Sequence, residues 1–118
     1  MQKQLNAVKE FHKAFGLGVS HEMKGDLGEQ KNMLRFNLMK EENEEYLEAV
    51  QNNDLIEIAD ALGDMLYILC GTILEHGLQY KIEEVFAHIR TLYFIKHRSE
   101  ENSLNSSHLR LSRMPSSA

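Results

Sequence analysis

Met39–Gly77 reads MKEENEEYLEAVQNNDLIEIADALGDMLYILCGTILEHG, and this stretch decides the fold. It predicts two helices joined at the short polar turn QNND, Gln51–Asp54. Glu41, Glu42, Glu44 and Glu45 crowd the first helix, and Glu57, Asp60 and Asp64 recur along the second. The second cluster runs straight into the apolar segment LYILCGTIL. Carboxylates beside a core are costly unless something positive compensates them. That tension is the main pointer to chemistry in this chain.

Outward from the turn, the first of these helices is expected from about Gly28 to Val50. At about 100° per residue, Leu34, Leu38, Glu41, Glu42, Glu45 and Ala49 share a face, and Phe36, Leu47 and Val50 take the opposite one. A helix apolar on two sides needs two partners, and in a short chain one of them can come from another subunit. Asn53 or Asp54 can cap the following helix, with Glu57 at capping-box spacing from Asp54. That helix is expected to run to His76, with Gly77 as its C-terminal cap. Asp60, Asp64, Tyr67, Ile68 and Gly71 form one stripe on it, and Leu62, Met65, Leu66 and Leu69 cover much of the rest. It therefore reads as a central helix buried nearly all round.

Residues 2–14 read as the first helix of the chain, with Leu5, Val8, Phe11 or His12, and Phe15 at helical spacing and Gly16 and Gly18 ending it. GLGVSHEMKGDLGE then forms a loop long enough to be a lid or a connection. A fourth helix is expected from Tyr80 to about Lys96. After Arg98 the sequence becomes Ser-rich and holds the one Pro, so the domain is read as 1–98 and 99–118 as a flexible tail. There are no internal repeats.

The 118 residues suit one domain, and a hydrophobic fraction of 42% is too high for wholesale disorder. A lone Cys70 in an apolar run excludes an internal disulfide and a zinc knuckle, and reads as a small buried hydrophobe. The N-terminal stretch lacks the apolar region of a signal peptide, and no apolar run reaches about 18 residues. The expectation is a soluble cytoplasmic protein with no membrane partner. A net charge of −5 argues against a basic face for nucleic acid. It leaves phosphate-bearing small molecules open, because a bound cation inverts the local field.

Side chains at i, i+3 and i+4 on a helix lie side by side. Glu41 and Glu42 thus flank Glu45, and Asp60 lies one turn from Asp64. If the two helices pack antiparallel across QNND, both sets meet, and converging carboxylates repel unless cations sit between them. Hard oxygen ligands suit Mg²⁺ or Mn²⁺. A solvated acidic face is the plain alternative, and Asp60 and Asp64 count against it because they fall on the inward stripe. A ferritin-like di-iron centre needs Glu-x-x-His on two helices, and none of the six His has a Glu three residues before it. The EF-hand loop pattern is also absent.

The paired motif, Glu41-Glu42-x-x-Glu45 followed by Asp60-Ala-Leu-Gly-Asp64-Met-Leu-Tyr67, resembles the MazG-like all-α nucleoside triphosphate pyrophosphohydrolases. VKEFHKAFG and CGTILEHGL resemble the phosphoribosyl-ATP pyrophosphohydrolase-like branch, and the likeness covers about residues 8–90. The resemblance implies Mg²⁺-dependent hydrolysis, with Mn²⁺ as a second option, between the α and β phosphates of a nucleotide. The products would be a nucleoside monophosphate and pyrophosphate, in a nucleotide-pool house-cleaning role. It implies Glu42, Glu45 and Asp64 as metal ligands, with Asp60 joining them, and Glu41 and Glu42 as catalytic residues. Glu41 would hold a second ion or orient the attacking water. Two departures stand out. Ala61 occupies the place of the usual Glu, leaving Asp60 or Glu57 as the substitute, and no R-S-N-x-S-K-like phosphate-holding segment follows the fourth helix.

Candidate substrate contacts are His12, Lys13 and Arg35, with packing or solvated charge as their competing roles. Phe15 is a further candidate beside His12 for contact with a base or phosphate, and Tyr67 reads as core or as a support behind the metal ligands. The expected architecture is an all-α four-helix bundle assembling as a homodimer or a dimer of dimers. Against the enzyme reading stand a helical metal- or nucleotide-binding protein with a decayed site, and a purely structural adaptor.

Overall fold

The computed structural model describes residues 1–102. It holds four helices, α1 (Gln2–Ala14), α2 (Glu29–Gln51), α3 (Leu55–Glu75) and α4 (Ile82–Asn102), and no strand occurs among the described residues. The fold is all-α.

The ends of the first three helices follow from local chemistry. Each closes on a residue in the left-handed region, Gly16 (φ 67°), Asn53 (φ 51°) and Gly77 (φ 69°). Each also makes the paired backbone bonds that satisfy the last carbonyls: Leu17 N–H to His12 and Gly16 N–H to Lys13, Asp54 to Ala49 and Asn53 to Val50, Leu78 to Ile73 and Gly77 to Leu74. At the α2–α3 turn the two expected cap residues divide the work. Asn53 supplies the left-handed turn, and the Asp54 carboxylate accepts the Glu57 N–H at 3.1 Å to start α3. So tight a turn lays α2 antiparallel along α3.

The chain divides into two compact units, Met1–Ile82 and a second beginning at Glu83. Within the first, α3 packs against both α1 and α2. Its core is Leu5, Val8, Cys70, Ile73 and Leu74, with Val19, Leu78 and Ile82 packed around them. The free Cys70 thiol is fully buried, as its apolar setting suggested, and burial pushes its pKa up. Only the C-terminal half of α3 is central. Leu62, Leu66 and Leu69 stay exposed, contrary to the expectation of all-round burial. With 13 residues against 21, α1 covers only part of its neighbour.

The face that α2 turns inward also differs from the wheel reading. Arg35 and Ala49 are buried, with Lys31, Leu38, Glu42 and Tyr46 partly so, while Leu34, Glu41 and Glu45 are exposed. The loop after α1 is a connection and not a free lid. Ser20 N–H donates to Leu74 O at 2.9 Å, Lys24 N–H to His76 O at 3.0 Å, and the Gln79 side-chain amide to Ser20 O at 2.7 Å. It ends where the Asp26 carboxylate accepts from Gly28 N–H and the Asn32 amide, which holds that carboxyl below its ordinary pKa.

In the second unit, α4 starts two residues later than expected and continues past Lys96 to Asn102. Phe86, Ile89, Leu92, Phe94 and Ile95 are exposed along it, and the Arg90 guanidinium lies 4.7 Å from the Phe94 ring centroid. Helix therefore replaces the first residues of the expected flexible tail, and the rest of 99–118 lies outside the described residues.

Candidate active site

The hairpin brings three of the expected carboxylates together. Glu42 and Glu45 sit one turn apart on α2, and Asp64 faces them from α3. One oxygen from each lies within 4.8 Å of the other two. Glu45 and Asp64 are exposed, and Glu42 is half-buried. Glu42 Oε2 is enclosed and has no hydrogen-bond partner. Its carboxyl is pushed up to about 7, first by burial, then by the adjacent Glu45 carboxylate and by the charges of Asp64 and Asp60. An enclosed oxygen without a donor and three convergent carboxylates call for a positive partner. The donor set is all hard oxygen, so it fits a divalent cation of the Mg²⁺ or Mn²⁺ type.

The other expected site residues fall at different distances from this point. Asp60 bears on Glu42 through its charge but is outside the group of three. Glu41 is exposed on α2 and is also outside it. From Glu45 a cleft of about 520 Å³ continues toward the α2–α3 turn, with Glu57, Asp60 and Ala61 in its walls. Ala61 is only 3% exposed, so the position that breaks the acidic pattern lies at the helix interface, beside the carboxylates of Asp60 and Glu57.

His12 and Arg35, two of the candidate substrate contacts, are buried. The Arg35 Nε donates to Thr72 Oγ1 at 3.0 Å and its Nη2 to Ile68 O at 2.9 Å. Burial lowers the guanidinium pKa, and Glu75 acts against that shift. The His12 Nδ1 lies 2.8 Å from Gly18 O. Buried Glu75 pairs with Lys31 Nζ at 3.2 Å. Gly71 makes room for this polar interior: a β-carbon there would lie 2.7 Å from Arg35 Nη2 and 2.8 Å from His12 Nε2. Lys13 is exposed at the end of α1.

Phe15, a candidate substrate contact, is exposed, and so are Phe11, expected in the core, and Tyr67, read as core or as a support of the site. Phe11 meets Phe15 with ring centroids 4.8 Å apart, and Tyr67 edge-on at 5.7 Å. The 11/15 spacing on α1 was the available signal for the pair, and the hydrophobic pattern assigned Phe11 to the core.

The sequence profile of the phosphoribosyl-ATP pyrophosphohydrolase family matches residues 8–91. The chain belongs to the phosphoribosyl-ATP pyrophosphohydrolase family. Enzymes of that family hydrolyse nucleotide anhydride bonds. The matched region contains α2 and α3 whole, and with them the acidic group. An uncharacterised protein of Acanthamoeba polyphaga mimivirus is 41% identical over 68 residues, which is 55% of this chain and 27% of that protein. The chain thus spans about a quarter of that relative's length. No solved structure matches the chain significantly.

Proposed function

We propose that the protein hydrolyses a nucleoside triphosphate or a related nucleotide between the α and β phosphates, giving a nucleoside monophosphate and pyrophosphate. The observation that carries this reading is the convergence of Glu42, Glu45 and Asp64 in a member of a pyrophosphohydrolase family. These three would hold Mg²⁺, with Mn²⁺ as the next best fit, and Asp60 would add a ligand or a bridge where Ala61 offers none. A bound divalent cation supplies neutralisation of phosphate charge and a more acidic water. The chain's own groups do the rest. Glu41, exposed beside the cluster, orients the attacking water or accepts its proton. Glu42, whose carboxyl is pushed up to about 7, would hold the cation as a carboxylate.

The same proposal places the protein in the cytoplasm, in a house-cleaning role on nucleotide pools, and has it act as a homodimer or a dimer of dimers. The exposed Phe36, Leu47 and Val50 on the outer side of α2 support self-association. No helix among the described residues is long and apolar enough to cross a membrane. The working domain is proposed to be residues 1–98.

The test is pyrophosphate release from a panel of ribo- and deoxyribonucleoside triphosphates with Mg²⁺, compared with Glu45→Ala and Asp64→Ala. Metal-dependent release by the wild type, with a loss of two or more orders of magnitude in either variant, is expected. Absence of release from every nucleotide sinks the enzyme reading in favour of a non-catalytic binder. A Mg²⁺-induced rise in melting temperature that the variants lose separates such a binder from a structural adaptor.

A further inference from the structure

Phe11, Phe15 and Tyr67 are 41%, 69% and 44% exposed. They nevertheless form one ordered cluster, with Phe11 at its centre touching both of the others. Phe11 meets Tyr67 edge-on, at an interplanar angle of 82°, so that contact does not use up the open faces of both rings. The cluster also has a fixed footing. Its α1 half is locked by buried Leu5, Val8 and His12, the last held by Gly18 O. Its α3 half is part of the helix that carries the acidic group.

Continuity with that group sets its meaning. Asp64 and Tyr67 stand at i and i+3 on α3, side by side on one face and about 4.5 Å apart along the axis. One end of the combined surface would meet phosphate through a cation on the carboxylates, and the other offers aromatic faces. A nucleotide has that same division, an anionic phosphate end and a flat π-surface joined by one sugar. We propose that Phe11, Phe15 and Tyr67 form the stacking surface for the base of the nucleotide whose phosphates meet Glu42, Glu45 and Asp64. This rests on the nucleotide-hydrolase reading of the acidic group. Stacking holds a base by its face and reads little of its edge, so the surface raises affinity for nucleotides over bare polyphosphate and discriminates weakly among bases.

The experiment uses the full chain with Mg²⁺, the nucleotide panel above, and inorganic tripolyphosphate as a base-free competitor. Phe15→Leu and the pair Phe11→Leu with Tyr67→Leu remove the rings, and Phe15→Tyr keeps one. The expected result is a KM for nucleotides raised about tenfold in Phe15→Leu, in the range that loss of one stacking contact gives. With it go an unchanged kcat, unchanged inhibition by tripolyphosphate, and recovery in Phe15→Tyr. The idea is overturned if Phe15→Leu leaves KM unchanged, or weakens nucleotide and tripolyphosphate alike. It is also overturned if the substitution lowers the mass of the assembly, which would mean that a second copy covers the rings. Should the wild type hydrolyse no nucleotide, the hydrolase reading fails separately. Calorimetric binding of nucleoside monophosphates against ribose 5-phosphate then decides the surface: base-dependent binding lost in Phe15→Leu supports it, and equal binding overturns it.

Discussion

At the scale of single residues, Glu42 is where the fold and the proposed chemistry conflict. Folding raises its pKa from an ordinary 4.5 to about 7, chiefly because the carboxyl is taken from water, then because a hydrogen bond with Glu45 favours its protonated form and the charges of Glu45, Asp64 and Asp60 oppose ionisation. The native state therefore binds this proton more tightly than the unfolded chain, and protonation favours folding. The cost of ionising Glu42 is absent below about pH 4.5, grows as pH rises to 7, and is complete above it. Metal-free protein in a chelator should accordingly show a higher melting temperature from this group at about pH 5.5 than at about pH 8. Glu42→Gln should raise the value at the alkaline end, shrink the difference, and lose the stabilisation that Mg²⁺ gives the wild type. A melting series showing the same pH response in both proteins would remove Glu42 from this role. Much of this site was legible in the residue spacing, which put Glu42 beside Glu45 and, across an antiparallel turn, near Asp64. What spacing could not give was the depth of each carboxylate, because α2 is rotated so that Glu42 alone among its acidic neighbours turns partly inward.

At the scale of elements, the boundaries were readable because they rest on local chemistry: Gly16, Asn53, Asp54 and Gly77 stop or start helices through their own backbone preferences and side-chain oxygens. The inward faces were less readable. A hydrophobic wheel assumes that large apolar residues point to the core, yet Leu34, Leu62 and Leu66 face out while Arg35 and His12 face in. The interior accepts them because Gly71 is small and because Thr72, Ile68 and Gly18 supply partners. Gly71→Ala is the direct test of that arrangement. Its methyl would press on Arg35 and His12, and a loss of about 2–3 kcal/mol is expected from strain together with displaced hydrogen bonds, read as a lower urea midpoint. A neutral result would mean that both side chains can withdraw without cost.

At the scale of the whole molecule, exposed apolar residues on α2 and α3, and again on α4, argue for association. Light scattering should give the wild type a mass of at least twice 13.6 kDa. Phe36→Asp combined with Leu47→Asp should lower it, and a wild-type mass of 13.6 kDa would refute assembly. The α2–α3 hairpin has a separate consequence, in the order of events as the chain folds. All three converging carboxylates lie between residues 42 and 64, and the turn joining their helices is among the most local contacts the molecule has. Closing so local a hairpin costs little loop entropy; if it is in place in the transition state, the acidic repulsion is met on the way up the folding barrier. Mg²⁺ should therefore speed refolding in a stopped-flow trace, and not act solely by slowing unfolding. The ion would then be a participant in the chain's own assembly before it ever meets a substrate.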